Sequence, residues 1–189
     1  MKVITFFNNE NQLLKKAAKG NREAQRGLYD KYSPKMLSIC RRYLKDIMQA
    51  EEAMCNGFLK IFQNLENFRE EGSFEGWMRR IMVNESISYL RKEQKITFTD
   101  YEDQGDEATY SPQDSDLEVE HIQALIDQLP DGYKTVFVMY AVEGFKHQEI
   151  AIMLNIAEST SKTQLFKARK MLQQKLKESN TYKYGTDEI

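Results

Sequence analysis

Little in this sequence favours β structure. Three prolines and nine glycines among 189 residues supply few of the tight turns that a hairpin-rich fold needs. Two cysteines and two histidines, all well separated, exclude a disulfide framework and match no zinc-site spacing. Cys40 and Cys55 both fall in helical patterns and read as small core residues of a reducing compartment. No apolar run approaches the ~20 residues of a membrane span. The start, MKVITFFNNENQ, has too short an apolar run for a secretory signal, so a cytoplasmic location is expected. No nucleophile–base pair, glycine-rich phosphate loop or metal cluster points to an enzyme.

What is present is charge, and it is segregated. The formal net charge is −2, but residues 1–95 hold 18 Lys+Arg against 12 Asp+Glu. Residues 96–120 hold nine acids and no base, and residues 121–189 hold nine bases and eight acids. Hydrophobic residues make up 41% of the chain, enough for packed cores. A basic front, an acidic middle and a rear whose cations gather on one helix suggest separate parts with separate partners.

Apolar spacing predicts helices almost throughout. Asn11–Lys19 ends at Gly20, and Asn21 caps a longer helix reaching Leu44, which Pro34 should kink or interrupt. Met48–Leu65 follows. After the loop ENFREEGSF, Gly72 breaks and Ser73 caps a helix in which Trp77, Ile81, Ile87 and Leu90 face inward. From Ile96 to Asp116 the periodicity stops, which predicts a flexible acidic linker. Leu117–Leu129 resumes it, Asp131 caps a helix over Tyr133–Val142, and Gly144 ends that helix. The polar tail Asn180–Ile189 should fray. The expected architecture is all-α, with two small helical domains at 1–95 and 117–189 joined by the linker 96–116.

His147–Lys175 reads as two helices around a tight turn. Asn155 suits the left-handed residue that ends the first, and Ser159 or Thr160 can cap the second. Leu165, Ala168, Leu172 and Leu176 form the inward stripe of the second helix. Ser159, Thr160, Lys162, Thr163, Lys167 and Lys170 lie largely outside it. A basic, hydroxyl-bearing helix after a short turn suits a major groove, as in a helix-turn-helix. The same spacing also suits a helical hairpin with a solvated face.

AEEAMCNGFLKIF, FEGWMRRIMVNESISYLRK and LPDGYKTVFVMYAVEGFKHQEIAIMLNIAESTSKTQLFKARKML, in that order, resemble a bacterial RNA polymerase sigma factor. The two-domain plan and small size are similar to the extracytoplasmic-function (ECF) subfamily. The resemblance implies that the front four helices are sigma region 2, which binds the polymerase clamp and melts the −10 element. It implies that the rear helix-turn-helix is sigma region 4, which reads the −35 element, and that the linker threads the polymerase channel.

The residues follow that division. Glu51, Glu52, Asn56, Lys60 and Gln63 correspond to the polymerase-binding surface. Asn67, Phe68, Arg69 and Ser73 belong to the base-capturing loop. Phe74, Arg79, Arg80, Asn84, Arg91 and Lys92 are candidates for holding the −10 strand; Phe74 and Trp77 also suit core packing, the favoured reading for Trp77 because it shares a stripe with Ile81. Ser159, Thr160, Lys162, Thr163, Gln164, Lys167, Arg169 and Lys170 are the −35 candidates; Phe166 reads as core or rim. Cys55-Asn56-Gly57, Ser161 and Gln164 depart from the family pattern, and the last two mark where base preference should differ. The implied partners are core RNA polymerase (clamp helices and flap), promoter DNA as duplex and melted strand, and a membrane-bound anti-sigma factor. No cofactor, metal or small-molecule substrate is implied. The competing reading is a helix-turn-helix regulator that acts without polymerase.

Overall fold

The computed structural model describes residues 10–68, 72–94 and 117–184. All regular elements among them are helical, with no strand. The chain divides into two compact units, Met1–Glu93 and Gln94–Ile189. The expected linker, residues 96–116, lies outside the described residues.

The front unit holds α1 (Glu10–Ala18), α2 (Arg22–Tyr43), α3 (Ile47–Asn64) and α4 (Phe74–Gln94). Local chemistry sets the boundaries. Gly20 follows α1 at φ +79°, a backbone conformation that costs glycine nothing. The Asn21 side chain accepts from Ala24 N–H at 2.9 Å, and Asp46 accepts from Gln49 N–H at 3.0 Å, capping α2 and α3. Ser73 Oγ accepts from Gly76 N–H at 3.0 Å and starts α4. α2 runs through Pro34 without interruption. The missing proline N–H leaves one turn without its bond, and a long flanking helix packed on α1 and α3 tolerates that loss.

Leu28, Met36, Ile39 and Cys40 of α2 pack with Ala50, Met54, Phe58 and Ile61 of α3. α1 adds Leu13, Leu14 and Ala17, and its Glu10 is held by Lys31 and Tyr32 of α2. The inward stripe of α4 differs from the expected one. Met78, Met82, Val83, Ile87 and Leu90 are buried, whereas Trp77 and Ile81 are half-exposed. Nearly every position from Trp77 to Val83 except the arginines is apolar, so hydrophobicity alone did not phase the helix. Cys55 is also a correction: it is exposed on α3, and only Cys40 is core.

The rear unit holds α5 (Leu117–Asp127), α6 (Asp131–Phe137), a wide π turn (Val138–Val142), α7 (His147–Leu154) and α8 (Glu158–Tyr184). α8 packs on α5, α6 and α7 through Leu165, Ala168 and Leu172. Leu176, expected in that stripe, is 39% exposed. Pro130 rather than Asp131 occupies the cap of α6, and Asp131 is its first residue. An acid there still opposes the positive helix end. Lys134 is buried and its ammonium meets Asp127 at 2.7 Å. α8 begins at Glu158, so Ser159 and Thr160 sit inside its first turn rather than at the cap, and the helix continues into the predicted fraying tail as far as Tyr184.

Candidate nucleic-acid interface

The turn between α7 and α8 is built by Asn155, at φ 54° and ψ 51°, the left-handed conformation that Asn adopts more readily than most residues. At the other end of α7, Lys146 N–H donates to Glu149 Oε2 at 2.9 Å. These two devices fix α7 and hand the chain into α8 after a three-residue turn.

Ser159, Lys162, Thr163, Phe166, Arg169 and Lys170 of α8 are exposed, and Thr160 and Lys167 are half-exposed. Lys162 pairs with Glu158 at 2.7 Å, which holds the Glu158 carboxyl below its ordinary range. Lys167 lies over the Tyr133 ring at 5.9 Å and Arg169 over the Tyr140 ring at 5.6 Å. Thr163 Oγ1 donates to Ser159 O at 3.0 Å. Four cations therefore rise from one helix face, two of them braced by aromatic rings.

Two expectations on this helix are corrected. Gln164 is 2% exposed and Ser161 is fully buried, so neither presents itself to a groove. Both lie on the inner side, beside Leu165 and Ala168. Ser161 is tolerated there because its hydroxyl meets His147 Nδ1 at 2.9 Å. Conversely Phe166, expected at the core or rim, is 69% exposed, centred among Lys162, Ser159 and Lys170. Its position at 100° per residue from Lys162 and Lys170 was available from the sequence. Its apolar character argued inward and lost to geometry.

In the front unit, Phe68, Phe74 and Trp77 form one aromatic group, with ring centroids 5.3 to 5.7 Å apart. Phe74, a strand-holding candidate, is buried at 6% exposure and meets Tyr32 edge-on. It is the floor of the group rather than a free surface. Phe68 and Trp77 are half-exposed above it, and Asn67 and Ser73 are exposed beside them. Arg69 lies outside the described residues. Along α4, Arg80, Asn84, Arg91 and Lys92 are exposed and Arg79 is half-exposed. Trp77, Arg80, Asn84 and Arg91 fall within about 60° of one another around the helix. An aromatic platform thus continues into a polar, cationic stripe, the combination that takes unpaired bases and their phosphates.

On α3, Glu51, Glu52, Asn56, Lys60 and Gln63 are all exposed. Lys60 reaches Glu85 of α4 at 2.6 Å. Between these polar groups stand Met48 at 74% and Leu59 at 58% exposure. Apolar residues ringed by charge suit a protein partner better than water. Among the described residues no group of His, Cys, Asp and Glu could hold a metal ion, and no helix is long and apolar enough to cross a membrane.

Comparisons with known proteins agree with both units. Residues 28–96 match the sigma-70 region 2 family, and residues 120–172 match sigma-70, region 4. The chain is 30% identical over 178 residues to the ECF RNA polymerase sigma factor SigW of Bacillus subtilis, covering 87% of this chain and 95% of that one. It is 27% identical to the RNA polymerase sigma-H factor of Pseudomonas aeruginosa, over 88% of this chain and 93% of the relative. Among solved structures, CnrH bound to the cytosolic domain of CnrY superposes with a TM-score of 0.51 at 19% identity, over 88% of this chain and 96% of that one. The sigma factor RpoE bound to the anti-sigma factor NepR, from Bartonella quintana, gives 0.54 at 18%, over 80% and 96%. At those identities the structural likeness speaks for the fold.

Proposed function

We infer the working parts of this chain from the family it belongs to, the ECF sigma factors, the subunits that direct bacterial RNA polymerase to promoters. The observation that carries the reading is the pair of region matches in chain order together with an ECF relative over 87% of the length. The reading of a regulator acting without polymerase is not favoured, because the front unit is itself matched as sigma region 2.

The division of labour follows from the exposed groups. The α3 face, with Glu51, Glu52, Asn56, Lys60 and Gln63 around Met48 and Leu59, docks on core polymerase. The platform of Phe68 and Trp77, with Asn67 and Ser73 beside it, receives bases of the −10 strand, and Arg79, Arg80, Asn84, Arg91 and Lys92 hold that strand and its phosphates. The outward face of α8, with Ser159, Thr160, Lys162, Thr163, Phe166, Lys167, Arg169 and Lys170, enters the major groove of the −35 element.

Melting then needs no covalent chemistry in this subunit. Unpairing costs a few kcal/mol per base, and base–aromatic stacking returns about 1–3 kcal/mol per base. Neutralised phosphates add a salt-dependent share. The protein is a non-catalytic subunit working in the cytoplasm. Because one superposed structure holds CnrH with the cytosolic domain of CnrY and the other a sigma factor with an anti-sigma factor, a protein inhibitor of the latter kind is the expected regulator of this chain.

The experiment is in vitro transcription with core RNA polymerase and a promoter library. Transcripts with defined starts that require this protein are the expected result. Tight duplex binding without polymerase and no such transcripts would overturn the reading.

A further inference from the structure

His147 ties together three elements of the rear unit. Its ring stacks on Tyr140 of the π turn, with centroids 4.5 Å apart and planes at 23°. Its Nδ1 meets Ser161 Oγ of α8 at 2.9 Å. The far partner of Tyr140 is Arg169, whose guanidinium lies 5.6 Å from the ring centroid. One half-buried imidazole at the start of α7 therefore touches a buried hydroxyl on the inner side of α8 and, through Tyr140, an exposed cation on its outer side.

We propose that His147 is a positioning residue for α8, seating it through Ser161 and Tyr140, and that it takes up a proton when α8 engages DNA. This rests on the reading of the outward face of α8 as the duplex-binding surface.

The charges around the ring give the sign. Tyr140 faces it from the π turn. Ser161, Glu158, Lys162 and Arg169 face it from α8, and Glu158 is already paired with Lys162. Burial first, then Lys162 and Arg169, hold the imidazole below its ordinary range in the free protein, against the opposing pull of Glu158. Those same two cations are the ones that DNA phosphates would neutralise. The duplex therefore offsets the cationic share of what disfavours the charged ring and adds negative potential beside it, while burial of the ring stays as it is. A group whose pKa is higher in the complex than in the free protein strengthens binding as pH falls through that range. Charging does not break the seat, since a protonated Nδ1 donates to Ser161 Oγ.

The test uses the full chain reconstituted with core polymerase and a fluorescent duplex carrying a −35 element selected by the protein from a randomised pool. Affinity should rise about fivefold between about pH 7.5 and about pH 5.5. His147→Gln, which keeps a polar contact but cannot titrate, should flatten that dependence. Ser161→Ala should weaken −35 binding about threefold to tenfold, the size of one net hydrogen bond, with polymerase affinity retained. Because the chain has two histidines, imidazole NMR of the unaltered protein gives a variant-free readout. The His147 resonance should titrate at higher pH with duplex than without.

Identical titration in both states, or full pH dependence in His147→Gln, would overturn proton uptake. Unchanged affinity in Ser161→Ala would overturn the seating role. A Lys162→Ala control separates the levels. If it weakens binding while the His147 results fail, only this inference falls. If it changes nothing at any pH, the assignment of α8 to DNA falls with it.

Discussion

Gly57 of α3 lies directly against Met82 of α4, so close that an added Cβ would overlap the thioether and stand 2.9 Å from Met82 Cε. Glycine in mid-helix costs about 1 kcal/mol relative to alanine. Here it lets the helices approach until Lys60 reaches Glu85 at 2.6 Å. Gly57→Ala gains propensity but must displace a fully buried methionine, at about 1–3 kcal/mol. The expected net effect is a loss of about 1 kcal/mol, whereas in a Met82→Ala background, itself destabilised by about 2–5 kcal/mol, Gly57→Ala should no longer cost stability. The single tryptophan, Trp77, lies in this unit, so urea midpoints read by its fluorescence isolate the change. An equal or higher midpoint for Gly57→Ala alone would show that Met82 moves freely.

The two cysteines should behave oppositely. Burial raises the Cys40 thiol to about 11, whereas Cys55 is exposed on α3. A thiol-alkylating reagent at neutral pH should label Cys55 in the native chain and Cys40 only after unfolding. If the α3 face docks on polymerase, saturating core enzyme should slow Cys55 labelling about tenfold or more. Unprotected labelling in the assembled holoenzyme, read by peptide mass, would move the polymerase contact away from this face.

Lys162 and Glu158 form an i,i+4 pair in which the acid stands at the start of α8. Lys162→Ala should weaken −35 binding and reduce the slope of log affinity against log salt by about 0.9 for the lost phosphate contact. Glu158→Gln should act in the opposite direction, freeing the ammonium and removing a repelled carboxylate. Fluorescence titrations at several salt concentrations test both, and parallel salt lines for all three proteins would place the phosphate contacts elsewhere.

Phe166 is exposed enough that Phe166→Ala should leave the unfolding midpoint of the rear unit unchanged. Promoter-duplex affinity should nonetheless fall about fivefold to tenfold, from lost apolar burial. Thymine presents a methyl group in the major groove. Replacing thymine by uracil across the −35 element should therefore cost the unaltered protein affinity and cost Phe166→Ala little. Equal uracil sensitivity in the two would exclude a methyl contact.

Asn84→Ala and Arg80→Ala should leave polymerase binding intact, because both side chains are exposed on α4. Open-complex formation should drop about tenfold as the strand loses polar anchors. Permanganate reactivity of −10 thymines measures it directly, and normal melting in both variants would remove the α4 stripe from the mechanism.

Much of the fold was legible because its punctuation is local. Gly20, Asn21, Ser73, Gly144 and Asn155 each act on backbone within a few residues, and each stands where the sequence placed it. Starts set by less specific residues slipped: Pro130 for Asp131, and Glu158 for Ser159 or Thr160. The facing of α4 was not legible, since apolar residues surround that helix between Trp77 and Val83 and only packing selects Met78 and Met82. α8 misled for the converse reason. A polar residue turns inward when a distant partner meets it, as His147 meets Ser161 across 14 positions, and no periodicity encodes that. Of the site, the exposed cations and the α3 acids were readable from pattern. The outward Phe166 and the half-exposed Trp77 were hidden because hydrophobicity was taken as burial.

The π turn at Val138–Val142 accommodates the equivalent of one extra residue in a helical coil. Deleting any one residue there would let the coil close as ordinary α-helix while the helix ends keep their phase, since the wide turn absorbs the extra residue. The side chains at the turn would not keep theirs: Tyr140 would shift against His147, and with it the brace beneath Arg169. The wide turn is therefore the device that presents Tyr140. Among relatives, gains and losses of a single residue here should be accompanied by changes at positions 140, 147 and 169 together.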